Sequence, residues 1–386
     1  MRTPVFSAIK TYFISQFGSP EVSLRAPGRI NIIGEHTDYG LGYVLPSAIN
    51  RYTYFVASKS QEAQHKIQAY NLDQQIVLDT DNDTLTTGWE RYIEAVFIIL
   101  RRADYILPPC HIVFGGDIPM GAGMSSSTAL SSGCIYALSE LNDLQLSKEK
   151  IALLSQQAEH LVGAKGGLMD QYAILFSEKG YAIKLDCLTL TKTMIPIQLE
   201  GASFSLINSN IPHDFSTSDA YNDRRRVCER ALSQLQAKYP NIDRLSDMTI
   251  HHLAGLRDVL DEADFSKIKY VYEENKRVHQ VAEYLLHNDI KSIGTCLQST
   301  HHGLSQQYQV SLPEIDILVD IANTQEGIYG ARMMGGGFGG SVLILGEDKT
   351  MQSYLQHILT AYYDKTHIQG EIINVELSNG IELINL

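Results

Sequence analysis

The residues able to do chemistry crowd into one short window, RAPGRINIIGEHTDYGLGYVLPSAIN at 25–50. Arg29, Glu35, His36 and Asp38 stand there among Gly28, Gly34, Gly40 and Gly42. Packed polar groups among glycines make a poor core segment but a good lining for a polar ligand, because glycine allows close backbone approach and positive φ. Glu35, His36 and Asp38 supply acceptors and an imidazole donor, and a carboxylate can accept from two hydroxyls at once. Another carboxylate, Asp170, lies in the glycine-rich and apolar stretch GAKGGLMDQY at 163–172. A carboxylate buried alone is costly. Asp170 therefore needs a partner, a capping role or a function.

A second kind of site is written at 115–133, GGDIPMGAGMSSSTALSSG. A strand-like run at 111–114 precedes it, and Leu130, Cys134, Ala137, Leu138 and Leu141 give the following segment helical spacing. Gly121 and Gly123, flanking Ala122 and followed by Met124, would let the backbone wrap closely round a phosphate. Ser125, Ser126 and Ser127 fall where the first helical N–H groups are unsatisfied and the dipole is positive, which welcomes an anion. One serine would serve as a cap; three behind a G-x-G turn exceed that need. The loop has no Walker lysine, so it is a different cradle. Gly335, Gly337 and Gly340 also satisfy G-x-G-x-x-G. That motif must open a helix to bind a dinucleotide, whereas 341–345, SVLIL, reads as a strand.

The elements that must hold these residues alternate along the chain. Strand-like runs occur at 52–58, 66–70, 181–185, 195–199 and 203–207, and helical spacing at 88–102, 147–162, 218–238, 268–287, 312–323 and 350–363. Val5, Ile9, Phe13 and Phe17 suggest an amphipathic first helix rather than a secretory signal. The 386 residues can bury a large core and suit two α+β domains, 1–200 and 201–386, with the site in the cleft between them. With 31 basic against 44 acidic residues the net charge is −13, which disfavours nucleic acid. No apolar run is long enough for a bilayer, so a cytoplasmic protein is expected. Five scattered cysteines without a CxxC pair read as reduced, buried thiols, and the pairs His251–His252 and His301–His302 lack metal-ligand spacing.

The 25–50 window resembles the opening signature of galactokinases, members of the GHMP small-molecule kinase superfamily, with Gly28, Arg29, Asn31, Ile33, Gly34, Glu35, His36, Asp38, Tyr39, Gly42, Val44, Leu45 and Pro46 in register. The serine-rich loop resembles the second GHMP motif, PxGxGLSSSA, with Met124 for leucine and Thr128 for alanine. GARMMGGGFGGS resembles the third, with Met334 for threonine, and 163–172 resembles the GIMDQ segment, with Gly166 for cysteine. The 208–231 run is similar to a segment ending YNxRRxxCE, whose Arg224, Arg225 and Arg226 otherwise read as a solvated helix face.

The resemblance implies a two-domain GHMP kinase that phosphorylates the anomeric hydroxyl of α-D-galactose with ATP. It implies Asp170 as base, weakened by a neighbouring cation and so taking the proton late, with Arg29 supplying positive charge. Glu35, His36, Asp38, Gly167 and Tyr221 would meet the sugar. Gly121, Ala122, Gly123, Met124, Ser125, Ser126 and Ser127 would meet the nucleotide, and Ser127 and Glu159 would hold Mg²⁺. The third motif would buttress the site floor. Galactose and ATP are the expected partners of a monomer. A sister sugar-1-kinase acting on N-acetylgalactosamine or arabinose is an alternative. So is a non-catalytic galactose sensor, although relatives of that sort have lost part of the serine-rich loop that is intact here.

Overall fold

The computed structural model describes residues 4–78, 83–211 and 219–385, without the side chains of Asp219, Ala220 and Tyr221. Its largest sheet orders six strands as Glu382–Leu383, Val22–Asn31, Pro46–Lys59, Cys110–Gly116, His65–Ala69 and Gln74–Leu78. Val22–Asn31 and Pro46–Lys59 are buried along most of their length. Such strands need cover on both faces. The helix Pro4–Phe17 lays Phe6, Ile9 and Phe13 against Tyr52, Tyr54, Val56 and Val113 on one face. On the other lies Ser126–Leu141, the helix that follows the serine-rich loop.

A second sheet joins Ile328–Met333, Ser341–Glu347, Ala202–Asn208 and Glu371–Ile373, and a third joins Tyr43–Val44, Tyr181–Asp186 and Lys192–Pro196. The strand expected at 195–199 thus lies earlier, where Lys192 pairs with Leu185. Besides the short Met169–Phe176, two further helices, Ile250–Leu256 and Ile290–His302, have no counterpart in the sequence reading. The first is too short for its periodicity to register. The second holds Gly294, whose missing side chain leaves room for the Tyr329 carbonyl.

The helix Glu262–Leu286 starts on Asp261, whose side chain accepts from the Asp264 N–H. It ties the halves of the chain together. Its Val278, Val281 and Leu285 join the apolar core built on the first sheet, whereas Phe265, Ile268 and Val271 join the core of the later elements. Tyr39, from the early glycine-rich window, crosses over into that second core. All five cysteines are free and buried. Among the described residues no helix is long and apolar enough to cross a membrane, and no cluster of three or more His, Cys, Asp or Glu could hold a metal.

Candidate active site

A bulge aims the first functional side chain. The pairing between Val22–Asn31 and Pro46–Lys59 shifts register between Pro27 and Arg29, as happens where a strand turns a side chain out of the ladder. Gly28 sits in the bulge because a Cβ there would lie 3.0 Å from the Met124 carbonyl. That same carbonyl accepts from the Arg29 N–H at 3.2 Å. The buried Arg29 guanidinium then donates through Nε and Nη2 to Asp170 Oδ1 and Oδ2, at 2.7 and 3.1 Å, and through Nη1 to the Gly123 carbonyl at 2.5 Å. Ser125 Oγ donates to Asp170 Oδ2 at 2.5 Å. Asp170 stands in the first turn of the helix Met169–Phe176, and its side chain keeps 26% of its surface against 4% for Arg29. The carboxylate is partnered yet open on one side.

That side faces a cavity of about 60 Å³ lined by Arg29, Glu35, His36, Asp38, Glu159, Gly166, Gly167, Met169, Asp170, Gln171, Gly335 and Gly336. Residues from three separate stretches of sequence meet here. His36 occupies the left-handed region at φ 62, and its Nδ1 pairs with Tyr39 Oη at 3.0 Å, which pairs in turn with Tyr308 Oη at 2.5 Å. Asp38 lies against Gly167, where a Cβ would strike its carboxylate. Burial, and then the charge of Asp170, pushes the Asp38 carboxyl up to about 6, against hydrogen bonds from the Tyr39 and Gly167 backbone.

Glu35 is deeper than a simple ligand-facing carboxylate. Its Oε1 accepts from Arg332 Nη1 and the Gly335 N–H, each at 2.9 Å, and Oε2 from Asn31 Nδ2 at 3.1 Å. Arg332 is fully buried and also donates to the carbonyls of Asn31, Ile32 and Met333. The sequence reading missed Arg332, which was hidden at the start of the third glycine run.

Gly121, Gly123 and Ser125 have φ of 71, 72 and 60. Alternating left-handed residues turn successive N–H groups to one side, an anion-binding concavity. The helix Ser126–Leu141 starts directly behind it, and Gly121, Gly123 and Met124 through Ser127 line a larger cavity of about 590 Å³. One member of the loop lies off that lining. Ala122 is fully buried and absent from that lining, and its carbonyl accepts from Ser341 Oγ at 2.7 Å. Met124 stays in that lining, with its side chain buried in the first core. Ser125 spends its hydroxyl on Asp170, as above. Gly335 and Gly340 pack on Gly123 and Ala122, so the third glycine run braces the second.

The far wall of the larger cavity holds Leu72, Trp89, Tyr92 and Phe114. These escaped the sequence reading because Trp89 and Tyr92 open an amphipathic helix, where aromatics read as packing. Glu159 is buried: Oε1 accepts from Thr128 Oγ1 and Oε2 from Gln171 Nε2, both at 2.7 Å. Burial pushes its carboxyl up to about 7, and the Ser127 hydroxyl is among the groups that pull it back. The Tyr221 side chain lies outside the described residues. Arg226 is solvated as expected. Arg224 is not, since it donates to the Tyr308 and Gln309 carbonyls at 2.9 and 2.7 Å.

Comparison with known proteins shows the family and the fold. Family profiles match for the galactokinase galactose-binding signature over residues 11–59, the GHMP kinases N terminal domain over 91–178 and the GHMP kinases C terminal over 281–365. A mevalonate kinase of Methanococcus jannaschii shares the fold at a TM-score of 0.66 and 17% identity, covering 94% of this chain and 100% of that one. The architecture is that of a GHMP kinase, an α+β fold with its site where the halves of the chain meet. Galactokinases of Thermotoga neapolitana and Thermosipho africanus are each 36% identical, over 362 and 365 residues, covering 94% of this chain and 99% and 100% of theirs. The Lactococcus lactis galactokinase, solved with galactose, superposes at a TM-score of 0.92 and 28% identity, covering 98% of this chain and 99% of that one. The chain belongs to the galactokinase family.

Proposed function

We propose that the chain transfers the γ-phosphoryl group of ATP to the anomeric hydroxyl of α-D-galactose, giving galactose 1-phosphate and ADP. The observation that carries this reading is the adjacency of two different cavities across one ion pair. The smaller, lined by Glu35, His36, Asp38 and Gly167, suits a compact polyol. The larger joins the serine-rich phosphate cradle to an aromatic wall suited to a flat heterocycle. Arg29 and Asp170 stand at their junction.

A carboxylate offers roughly four acceptor positions. Arg29 and Ser125 fill three of them on Asp170, leaving about one for the attacking hydroxyl. Asp170 orients that hydroxyl and takes its proton, while Arg29 brings fixed positive charge between the base and the phosphate loop. Helix N–H groups of Ser126 and Ser127 neutralise phosphate oxygens. A hard divalent cation takes oxygen donors, often one or two protein groups plus phosphates. The Ser127 hydroxyl and the Glu159 carboxylate fit that donor set, and a Mg²⁺ there would neutralise charge on the transferring group. We read Tyr221 as a sugar contact, residues 1–200 and 201–386 as the two domains, with the strand Glu382–Leu383 returning to the first sheet, and the protein as a cytoplasmic monomer.

The test is sugar-dependent ADP release across free sugars. Activity with galactose should far exceed that with glucose, because groups built to pair one epimer's hydroxyls are left unpaired by the other. Equal kcat/KM for both sugars, or activity confined to an N-acetylated sugar, would sink this reading.

Acidity supplies a further check. Asp38 must be ionised to accept two hydroxyls, and its carboxyl is raised to about 6. Galactose affinity should therefore fall as pH drops below about 6, approaching tenfold per unit, and Asp38→Asn should abolish that inflection. Stability runs the other way for this group. A raised carboxyl contributes stability that is fully present below its ordinary value and is lost as pH rises through about 6. Calorimetric titration with galactose between about pH 5 and 8 decides the matter; pH-independent affinity would refute it.

A further inference from the structure

We infer that Glu274, on the helix Glu262–Leu286, is a positioning residue for the turn at 34–38, which holds Glu35, His36 and Asp38 at the sugar. This rests on the reading of that turn as sugar-binding. Glu274 is fully buried, and both of its oxygens are committed. Oε1 accepts from the Gly34 N–H at 2.7 Å and the Glu35 N–H at 3.3 Å. Oε2 accepts from Thr300 Oγ1 and from Arg277 Nε, each at 2.7 Å. One turn earlier on the same helix, Tyr270 Oη donates to the Glu35 carbonyl at 3.0 Å. One residue later, Asn275 Oδ1 accepts from the Tyr43 N–H at 2.9 Å. Tyr270 and Glu274 therefore grip the turn at Gly34 and Glu35, and Asn275 fixes the start of the strand Tyr43–Val44 that follows it.

The turn needs such a template. Gly34 and His36 both occupy the left-handed region, at φ 101 and 62, which for histidine is a strained conformation that its surroundings must impose. Consecutive N–H groups in this conformation converge on one point and favour an anion there. Glu274 supplies the anion, and Arg277 supplies the charge that lets a carboxylate be buried. Gly34 has no room for a side chain, since a Cβ would lie 2.9 Å from Val278 Cγ2 of the same helix. The bonded N–H belongs to Glu35 itself, whose carboxylate lines the sugar cavity, and His36 is the next residue. A shift of Glu274 is therefore a shift of two sugar-facing side chains. The nucleotide cavity contains none of these residues.

Two variants and two readouts test this. Glu274→Gln keeps the volume but loses the charge that Gly34, Glu35 and Arg277 pair with; Tyr270→Phe removes only the bond to the Glu35 carbonyl. Calorimetry with galactose should show affinity lowered about tenfold or more for Glu274→Gln and about threefold or more for Tyr270→Phe. ADP affinity should stay within about twofold, and galactose kcat/KM should fall more than kcat. Amide hydrogen exchange at Gly34 and Glu35 should accelerate by about tenfold or more in Glu274→Gln relative to the starting protein. Equal weakening of galactose and ADP, or unchanged galactose affinity in folded variants, overturns the inference. If Glu274→Gln gives no cooperative melt, Tyr270→Phe decides alone on the same criteria. If the unaltered chain fails to bind galactose, the substrate reading falls instead, and amide exchange at Gly34 and Glu35 still decides whether Glu274 holds the turn.

Discussion

Asp170→Asn is expected to lower kcat by about 10²- to 10⁴-fold, the usual cost of removing a general base, with galactose affinity changed far less. Asparagine keeps the volume and an oxygen for Arg29 Nε, so the helix Met169–Phe176 and the Arg29 brace on Gly123 should survive. What it loses is the charge shared with Arg29 and the capacity to take a proton. Ser125, whose hydroxyl donates to Asp170 Oδ2, can rotate to accept from the amide instead. Turnover alongside galactose calorimetry, in a variant with an unshifted melt, separates catalyst from binder. Near-normal turnover would reduce Asp170 to a structural partner of Arg29.

The second large effect concerns stability. Arg332→Met should cost about 3–5 kcal/mol, the range for breaking a buried ion pair by removing one partner. Methionine fills the space, but Glu35 keeps only Asn31 and the Gly335 N–H, and the carbonyls of Asn31, Ile32 and Met333 lose their donor. Arg332→Lys should rescue little, because a single ammonium cannot serve a carboxylate and several carbonyls from a planar fork. A denaturant midpoint shifted at constant slope would report this loss. A change under about 1 kcal/mol would mean that Glu35 is held adequately without Arg332.

The contrast between Glu35 and Arg332 shows what a sequence exposes. Glu35, His36, Asp38 and Asp170 were legible because polar groups among glycines break the pattern of a core segment. Arg29 was legible by the same rule. Arg332 sits in GARMMGGG, where the glycines drew attention to the backbone and away from the one cation beside them. Glu274 and Tyr270 lie in a long amphipathic helix, and periodicity sorts such residues only into apolar and polar faces. It does not say that a charged residue between those faces is fully buried on another element's backbone. Most strands and helices were legible from their spacing. The edge at Lys192–Pro196 was displaced because alternation at 195–199 is equally good and only pairing with Tyr181–Asp186 selects the register. The buried side chains of Ala122 and Met124 follow from close contact with Ser341 and the first sheet, which no local pattern encodes.

The short strand Glu382–Leu383 closes the edge of Val22–Asn31, with Leu24 opposite Leu383 and Arg25 bonded to Glu382 at a separation of 357 residues. During synthesis that edge waits. At about 5–20 residues per second, its partner emerges roughly 20–70 s after Arg25 has been made. Through that interval the strand presents unpaired N–H and C=O groups, the template on which nascent chains pair wrongly with one another. The half-buried Arg25, stacked 4.6 Å from the Tyr52 ring centroid, holds a charge on this open border before Glu382 arrives. Until Glu382–Leu383 pairs, Arg25 is a charge on an open strand edge, the kind of feature that discourages edge-to-edge pairing.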